Sequence, residues 1–170
     1  MLFPFEIHNA SAFRALSPQD EAAVVSRARL LQAASLRGAP ALQLKGKNLG
    51  VLRDDGGDER SESRLLFQRA AAELGAHVAT IRPALSSLGS LGEIQRTARI
   101  LGRFYDAVEC QGVAPDIVRE IGRHAGIPVY DGLACASHPT ARLAELLDDR
   151  TSPADNRRFV LQALLSDSVA

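Results

Sequence analysis

Leu44-Lys45-Gly46-Lys47 leads into the apolar run Leu49-Gly50-Val51-Leu52 and then into a polar loop, Arg53-Asp54-Asp55-Gly56-Gly57-Asp58-Glu59-Arg60. Ser61-Glu62-Ser63-Arg64 follows, and an amphipathic run ends at Leu74-Gly75 before a second apolar segment, Val78 to Ile81. This reads as strand, loop, helix, strand. Strands joined through a helix lie parallel, so the stretch predicts a parallel α/β sheet. In such a sheet the loop after the first strand opens at the carboxyl edge, where ligands bind. The helix start behind it is suited to an anion, because its first N–H groups are unpaired and carry the positive end of the helix dipole. The acidic residues of this loop work against an anion.

Outward from this stretch the alternation continues. Ser17-Pro18-Gln19-Asp20 is a helix start, with Ser as N-cap and Pro at the first helical position. Val24, Ala28 and Leu31 recur at helical spacing, and Gly38 and Pro40 end the segment. Phe67, Ala70, Ala71 and Leu74 share one helix face, with Gly75 at the C′ position. A loop from Leu85 to Gly92 precedes a helix that buries Ile94, Ala98 and Leu101. Ala107 to Cys110 is the third strand. Pro115 opens a helix with Ile117, Ile121 and Ala125 inward, closed by Gly126, and Pro128 to Tyr130 is the fourth strand. Pro139 starts a helix with Leu143, Leu146 and Leu147 inside. Ser152-Pro153-Ala154-Asp155 repeats the earlier start signal for a last helix carrying Val160, Ala163 and Leu164. Residues 1–16 are open between a short strand and an arm. The expected fold is a three-layer, doubly wound α/β domain. It has a central four-stranded parallel sheet, with the N-terminal (17–37) and C-terminal (153–167) helices packed together.

Composition narrows the function classes. The 170 residues suit one domain with one core, residues 44–150 forming its centre. Twenty cationic and twenty anionic side chains balance to zero, against the basic excess of a nucleic-acid surface. No apolar run approaches the length of a membrane span, and Met1-Leu2-Phe3-Pro4-Phe5-Glu6 lacks the basic region of a signal peptide. Two cysteines, Cys110 and Cys135, point to a reducing, cytoplasmic setting. They fall at the ends of neighbouring strands, and with no basic neighbour evident they read as inert thiols. Asp54, Asp55, Asp58 and Glu59 read as a solvated mobile loop, with a hard-cation site as the alternative. No cofactor or metal is expected.

Several blocks carry a family resemblance. Leu44-Lys45-Gly46-Lys47-Asn48-Leu49 is similar to the first strand of aspartate and ornithine carbamoyltransferases, and Arg64 to Val78 resembles the helix and second strand after that family's phosphate loop. Thr97 to Ala107 resembles the ornithine branch. Ile127-Pro128-Val129-Tyr130-Asp131-Gly132-Leu133 and His138-Pro139-Thr140 complete a carbamoyl-phosphate domain. Asn156 to Leu165 looks like the family's final helix. Between Leu147 and Pro153, where the family carries an amino-acid-binding domain, only a few residues stand.

The resemblance implies transfer of a carbamoyl group from carbamoyl phosphate to an amine, which requires neutralising a phosphate dianion and polarising a carbonyl. The family's phosphate loop aligns on Arg60-Ser61-Glu62-Ser63-Arg64, where Glu62 replaces a central arginine; a downstream arginine aligns on Gln111, and a glutamine on Ala141. His138 and Thr140 match. The family's inter-subunit loop aligns on Leu88 to Glu93, with Leu91 at its basic position. The candidate site is therefore His138 as the catalytic group, with Ser61, Glu62, Ser63, Arg64, Gln111 and Thr140 as ligand-binding positions. Each has a plainer reading: Ser61 and Ser63 as N-caps, Arg64 as an ion-pair partner of Glu62 or of the loop, His138 as a loop histidine. Two function classes follow. One is a degenerate relative acting as a binding or assembly module, a homotrimer or docked on a full-length carbamoyltransferase. The other is an enzyme for a different small anion, an amino acid or an uncharged ligand, with Glu62 on a cationic group and His138 as acid or base, or one active only with a partner subunit.

Overall fold

The computed structural model describes residues 16–39, 41–53, 61–84 and 88–169. The readings of the N-terminal arm, of Pro40, and of Asp54, Asp55, Asp58 and Glu59 fall outside those residues. The chain order is α1 (Pro18–Leu36), β1 (Asn48–Arg53), α2 (Glu62–Glu73), β2 (His77–Ile81), α3 (Leu91–Phe104), β3 (Ala107–Gln111), α4 (Pro115–Ala125), β4 (Val129–Asp131), a 3₁₀ helix (Pro139–Leu146) and α5 (Pro153–Val169). The four strands form one sheet in the order β2-β1-β3-β4, parallel throughout.

Side chains alternate across a strand, so a sheet with helices on both faces needs two apolar sets. Both are present. Leu49 and Val51 of β1, Ala107 of β3 and Tyr130 of β4 pack with residues of α1, α2, the 3₁₀ helix and α5. Leu52, Val108, Cys110 and Val129 pack with α3 and α4 on the other face. The three layers, and the pairing of α1 with α5, are as the sequence predicts. Strand β2 is an edge, and its residues are only partly covered.

Local chemistry sets the element ends. Ser17 Oγ accepts from the Asp20 N–H at 3.1 Å and the Asp20 carboxylate accepts from the Ser17 N–H at 3.2 Å, a reciprocal capping box. Gly75, at φ +89°, lies against the Lys45 backbone, so a Cβ there would meet both strain and atoms. Gly102 has a different reason: a Cβ on it would be driven into the Ala125 carbonyl oxygen, so glycine sets how closely α3 approaches α4.

Two expectations need correction. Leu146 is 51% exposed, not inside. The buried stripe runs Thr140, Leu143, Ala144, Leu147, and Leu146 lies beside it rather than on it. In α4 Val118 is buried along with the predicted Ile121 and Ala125, whereas Ile117 is only partly covered. Helix α5 goes further than its predicted stripe: Phe159 through Leu165 are all buried. It lies against α1, α2 and the 3₁₀ helix, and a helix enclosed on several sides has little solvent face. Its polar residues are buried with partners. Arg158 pairs with Glu73 and with Asp155 (2.8 Å), and Gln162 Nε2 donates to Glu73 Oε2 (2.9 Å) and to the Ala70 carbonyl (3.3 Å). Among the described residues no helix is long and apolar enough to cross a membrane.

Gly102→Ala is expected to lower stability by about 1–3 kcal/mol, because the α3–α4 contact must open. Leu165→Ala, at a fully buried position, is expected to cost about 2–5 kcal/mol. Leu30→Ala, at a position 69% exposed, should stay within about 0.5 kcal/mol. Urea denaturation of the three variants checks the ranking.

Candidate functional site

With the order β2-β1-β3-β4, the chain leaves β1 for α2 on one face and leaves β3 for α4 on the other. The crevice between the ends of β1 and β3 is the topological switch point. Arg53 and Gln111 are partners in register there, the last residues of their strands. Both are buried, 6% and 8% exposed, and by alternation both face the α1–α2–α5 side.

The first turn of α2 supplies one wall. Ser61 takes the N-cap position, but its hydroxyl makes no capping bond. Glu62, Ser63 and Arg64 occupy the first helical positions, with Glu62 exposed. Arg64 makes no ion pair among the described residues, so the pairing with Glu62 is not formed there. Its Nε is buried without a hydrogen-bond partner.

The opposite wall is the turn after β4. His138 caps the 3₁₀ helix: the Thr140 N–H donates to Nδ1 at 3.3 Å, with Thr140 Oγ1 2.8 Å away. Nδ1 therefore acts as an acceptor, and the remaining proton of the neutral ring belongs on Nε2. Burial holds His138 below the usual histidine range, and the nearby Arg157 cation adds to this. At neutral pH this side chain is a hydrogen-bond donor without charge.

Arg157 is the main residue that sequence reasoning missed. It stands in the second turn of α5, and its Nη2 donates to the carbonyls of Ala134 (3.0 Å) and Cys135 (3.1 Å). Burial lowers its pKa, while Cys135 and Glu62 act in the opposite direction. Glu62 thus has a cationic neighbour, but on α5 rather than at Arg64. No local signal marked it: Arg157 lies beyond the first turn of α5, and the carbonyls it reaches are distant in sequence. Cys135 accordingly has a basic neighbour, contrary to the sequence reading. Cys110 is buried on the α3–α4 face, where burial pushes its thiol up, and both cysteines are free.

Glu109 was also missed. It is fully buried within the strand read as Ala107 to Cys110. The Leu133 N–H donates to its Oε2 at 3.1 Å, and the Ala134 N–H to its Oε1 at 3.3 Å. Gln111 Nε2 donates to Oε1 at 3.4 Å, leaving Gln111 Oε1 buried and unpartnered. The described residues contain no group of three His, Cys, Asp or Glu side chains placed to hold a metal ion. Leu91 lies elsewhere, 59% exposed beside a cleft of about 480 Å³ between the N-terminal ends of α3 and α4.

Chemically, Arg157, the Nε2–H of His138, Arg64 and the free Ser61 hydroxyl are donors suited to an oxyanion. Glu62 offsets part of that charge, and Gln111 adds none.

Comparison with known proteins agrees with this architecture. Residues 9–150 match the family described as aspartate/ornithine carbamoyltransferase, carbamoyl-P binding domain. An ornithine carbamoyltransferase of Actinobacillus pleuropneumoniae is 39% identical over 119 residues, covering 70% of this chain and 35% of that protein. A catabolic ornithine carbamoyltransferase of Burkholderia mallei is 34% identical over 161 residues, covering 95% of this chain and 45% of its own. The structure of ornithine carbamoyltransferase from Pyrococcus furiosus superposes with a TM-score of 0.63 at 27% identity, over 75% of this chain and 40% of that one. The chain thus spans less than half the length of these relatives. From the matched residues and the shared fold, the chain belongs to the aspartate/ornithine carbamoyltransferase family, through its carbamoyl-P binding domain.

Proposed function

We propose that this chain is a carbamoyltransferase-like domain that has lost carbamoyl transfer and serves as a binding or assembly module. The observation that carries this is the charge arrangement at the switch point. Glu62 stands in the first turn of α2 with Arg157 as its electrostatic neighbour, and the position at the end of β3 is the neutral Gln111. A phosphate dianion would have to compete with the Glu62 carboxylate for the same cations, and in a partly desolvated crevice that repulsion is substantial. In this reading the short connection from Leu147 to Ser152 stands in place of the amino-acid domain. The module self-associates as a homotrimer or docks on a full-length carbamoyltransferase.

Arg157 also favours a second reading. Together with His138 it leaves a cation and a neutral donor facing the same crevice, which supports binding of a different small ligand, either an anion or an amino acid whose ammonium meets Glu62. In that case the site keeps a small-molecule role in amino-acid metabolism.

Purified protein supplied with carbamoyl phosphate and ornithine is expected to form no citrulline, and titration with carbamoyl phosphate to give no saturable heat. Turnover would overturn the degenerate reading. Glu62→Arg is expected to raise affinity for inorganic phosphate at least about tenfold, because a repulsive charge becomes a charge-assisted donor. An unchanged isotherm would mean that Glu62 does not face the ligand. Light scattering is expected to give three times the 18.2 kDa chain mass. A monomer that also fails to bind a full-length carbamoyltransferase would remove the assembly role.

A further inference from the structure

Glu109 sits in the middle of the sheet, with Val51 and Tyr130 as its neighbours in register and none of its surface exposed. A carboxyl group there must be compensated by hydrogen bonds. Its partners are not scattered. Two are consecutive N–H groups of the turn after β4, and the third is Gln111, two residues along its own strand. The same turn presents the Ala134 and Cys135 carbonyls to Arg157, and the His138 N–H donates back to the Cys135 carbonyl at 3.0 Å. One buried carboxyl group is therefore joined by short links to Gln111, Arg157 and His138.

Gln111 is where this matters. A carboxamide carries its donor and its acceptor on opposite ends of one rotatable group. An ionised Glu109 can only accept, so Gln111 must turn Nε2 toward it and Oε1 away, where that oxygen has no partner. A protonated Glu109 donates its O–H to Gln111 Oε1, and the carboxamide turns over to send Nε2–H outward. Both backbone N–H bonds survive, since each Glu109 oxygen keeps a lone pair in either state.

We propose that Glu109 is a positioning residue for the candidate site, its proton deciding whether Gln111 offers a ligand an N–H donor, suited to an anion, or a carbonyl acceptor, suited to a ligand bearing N–H. The ligand half of this statement rests on the second reading above, in which the crevice binds a small anion other than carbamoyl phosphate; the coupling of Glu109 to Gln111 does not.

The charged surroundings fit a titration near neutrality. Burial drives the Glu109 carboxyl up to about 8, against the opposing hydrogen bonds from Ala134, Gln111 and Leu133, and Asp131 adds to the rise. The titratable neighbours are Cys110 on β3 and Tyr130 and Asp131 on β4, each raised by burial; the Tyr130 hydroxyl is bonded to Ser168 of α5. Arg157 of α5 and His138 are held by the same turn, and Arg53 of β1, the buried register partner of Gln111, lies on the same face of the sheet. His138, lying below its ordinary value, is already neutral at pH 7. A folded-state pKa above the unfolded value means that the contribution of Glu109 to stability is full below about pH 4.5 and is lost as pH rises toward about 8.

The test is a ¹⁵N NMR titration of the whole chain from pH 7 to 9, with sulfate as an anion whose own charge is constant over that window. The Gln111 side-chain amide and the Leu133 and Ala134 backbone amides are expected to move together in one step. Sulfate affinity by calorimetry is expected to fall at least about tenfold across it. Glu109→Gln should flatten both responses, and Asp131→Asn should move the wild-type midpoint to lower pH. If Glu109→Gln does not fold, the wild-type and Asp131→Asn titrations decide the question. A Gln111 signal that stays still, or moves equally in Glu109→Gln, overturns the proposal. Sulfate that fails to bind at either pH, with the Gln111 step intact, removes the ligand reading and leaves the positioning role in place.

Discussion

The docking of α5 onto α2 is the constraint on which the candidate site depends. Arg158, only 6% exposed, is committed to Glu73 and Asp155, and Gln162 shares the same Glu73 carboxylate one turn later. A buried pair of this kind adds little net stability over an apolar equivalent, yet a partner left alone is costly. The seam therefore fixes register more than it adds strength. Sliding α5 by one residue would leave a guanidinium and a carboxylate unpaired inside the protein. Arg157 is the preceding residue in the chain, about 100° round the helix, so the position of the cation in the crevice follows from a packing contact on another side of its own helix.

That origin distinguishes the two walls of the site. The α2 wall is made of local sequence, and its polar groups are under-used: Ser61 makes no cap and Arg64 Nε no hydrogen bond. The wall after β4 is held from three directions, by Glu109 beneath, Arg157 above and the His138 cap at its end. Groups held in this way keep their orientation without a ligand, which is the usual requirement for selective recognition. Whatever the crevice meets, the preorganised side is the one contributed by β3, the turn and α5.

The sheet and its helices were legible in the sequence because their signals are local. Ser17-Pro18 and Ser152-Pro153 mark helix starts, Gly75 and Gly126 take left-handed conformations at helix ends, and the apolar runs of β1 and β3 are buried on both faces. Leu146 was misplaced because a stripe through Leu143 and Leu147 can be drawn to either side of it. The site residues that escaped have distant partners. Arg157 reaches carbonyls 22 and 23 residues away, and Glu109 is compensated by N–H groups 24 and 25 residues further on. A glutamate inside an apolar run looks like a disturbance to a strand until the turn that satisfies it is in view. Arg53 escaped for a smaller reason: the first strand was ended one residue early.

The connection between the 3₁₀ helix and α5 has a consequence for how this chain can change length. Residues 147–152 join two elements that already pack against each other, and the Asn156 side chain donates to the Asp148 carbonyl across that joint. The entropy of closing a loop grows only logarithmically, by about 0.6 kcal/mol for each doubling. Material can thus be inserted or removed at this joint at small entropic cost while α5 keeps its seat through the contacts along its body, provided that the bonds of Asp148 and Thr151 to Asn156 and of Thr151 to Gln32 are remade. The joint is a splice point in the mechanical sense: most of what seats α5 lies outside it, and what lies within it is a small set of polar ties.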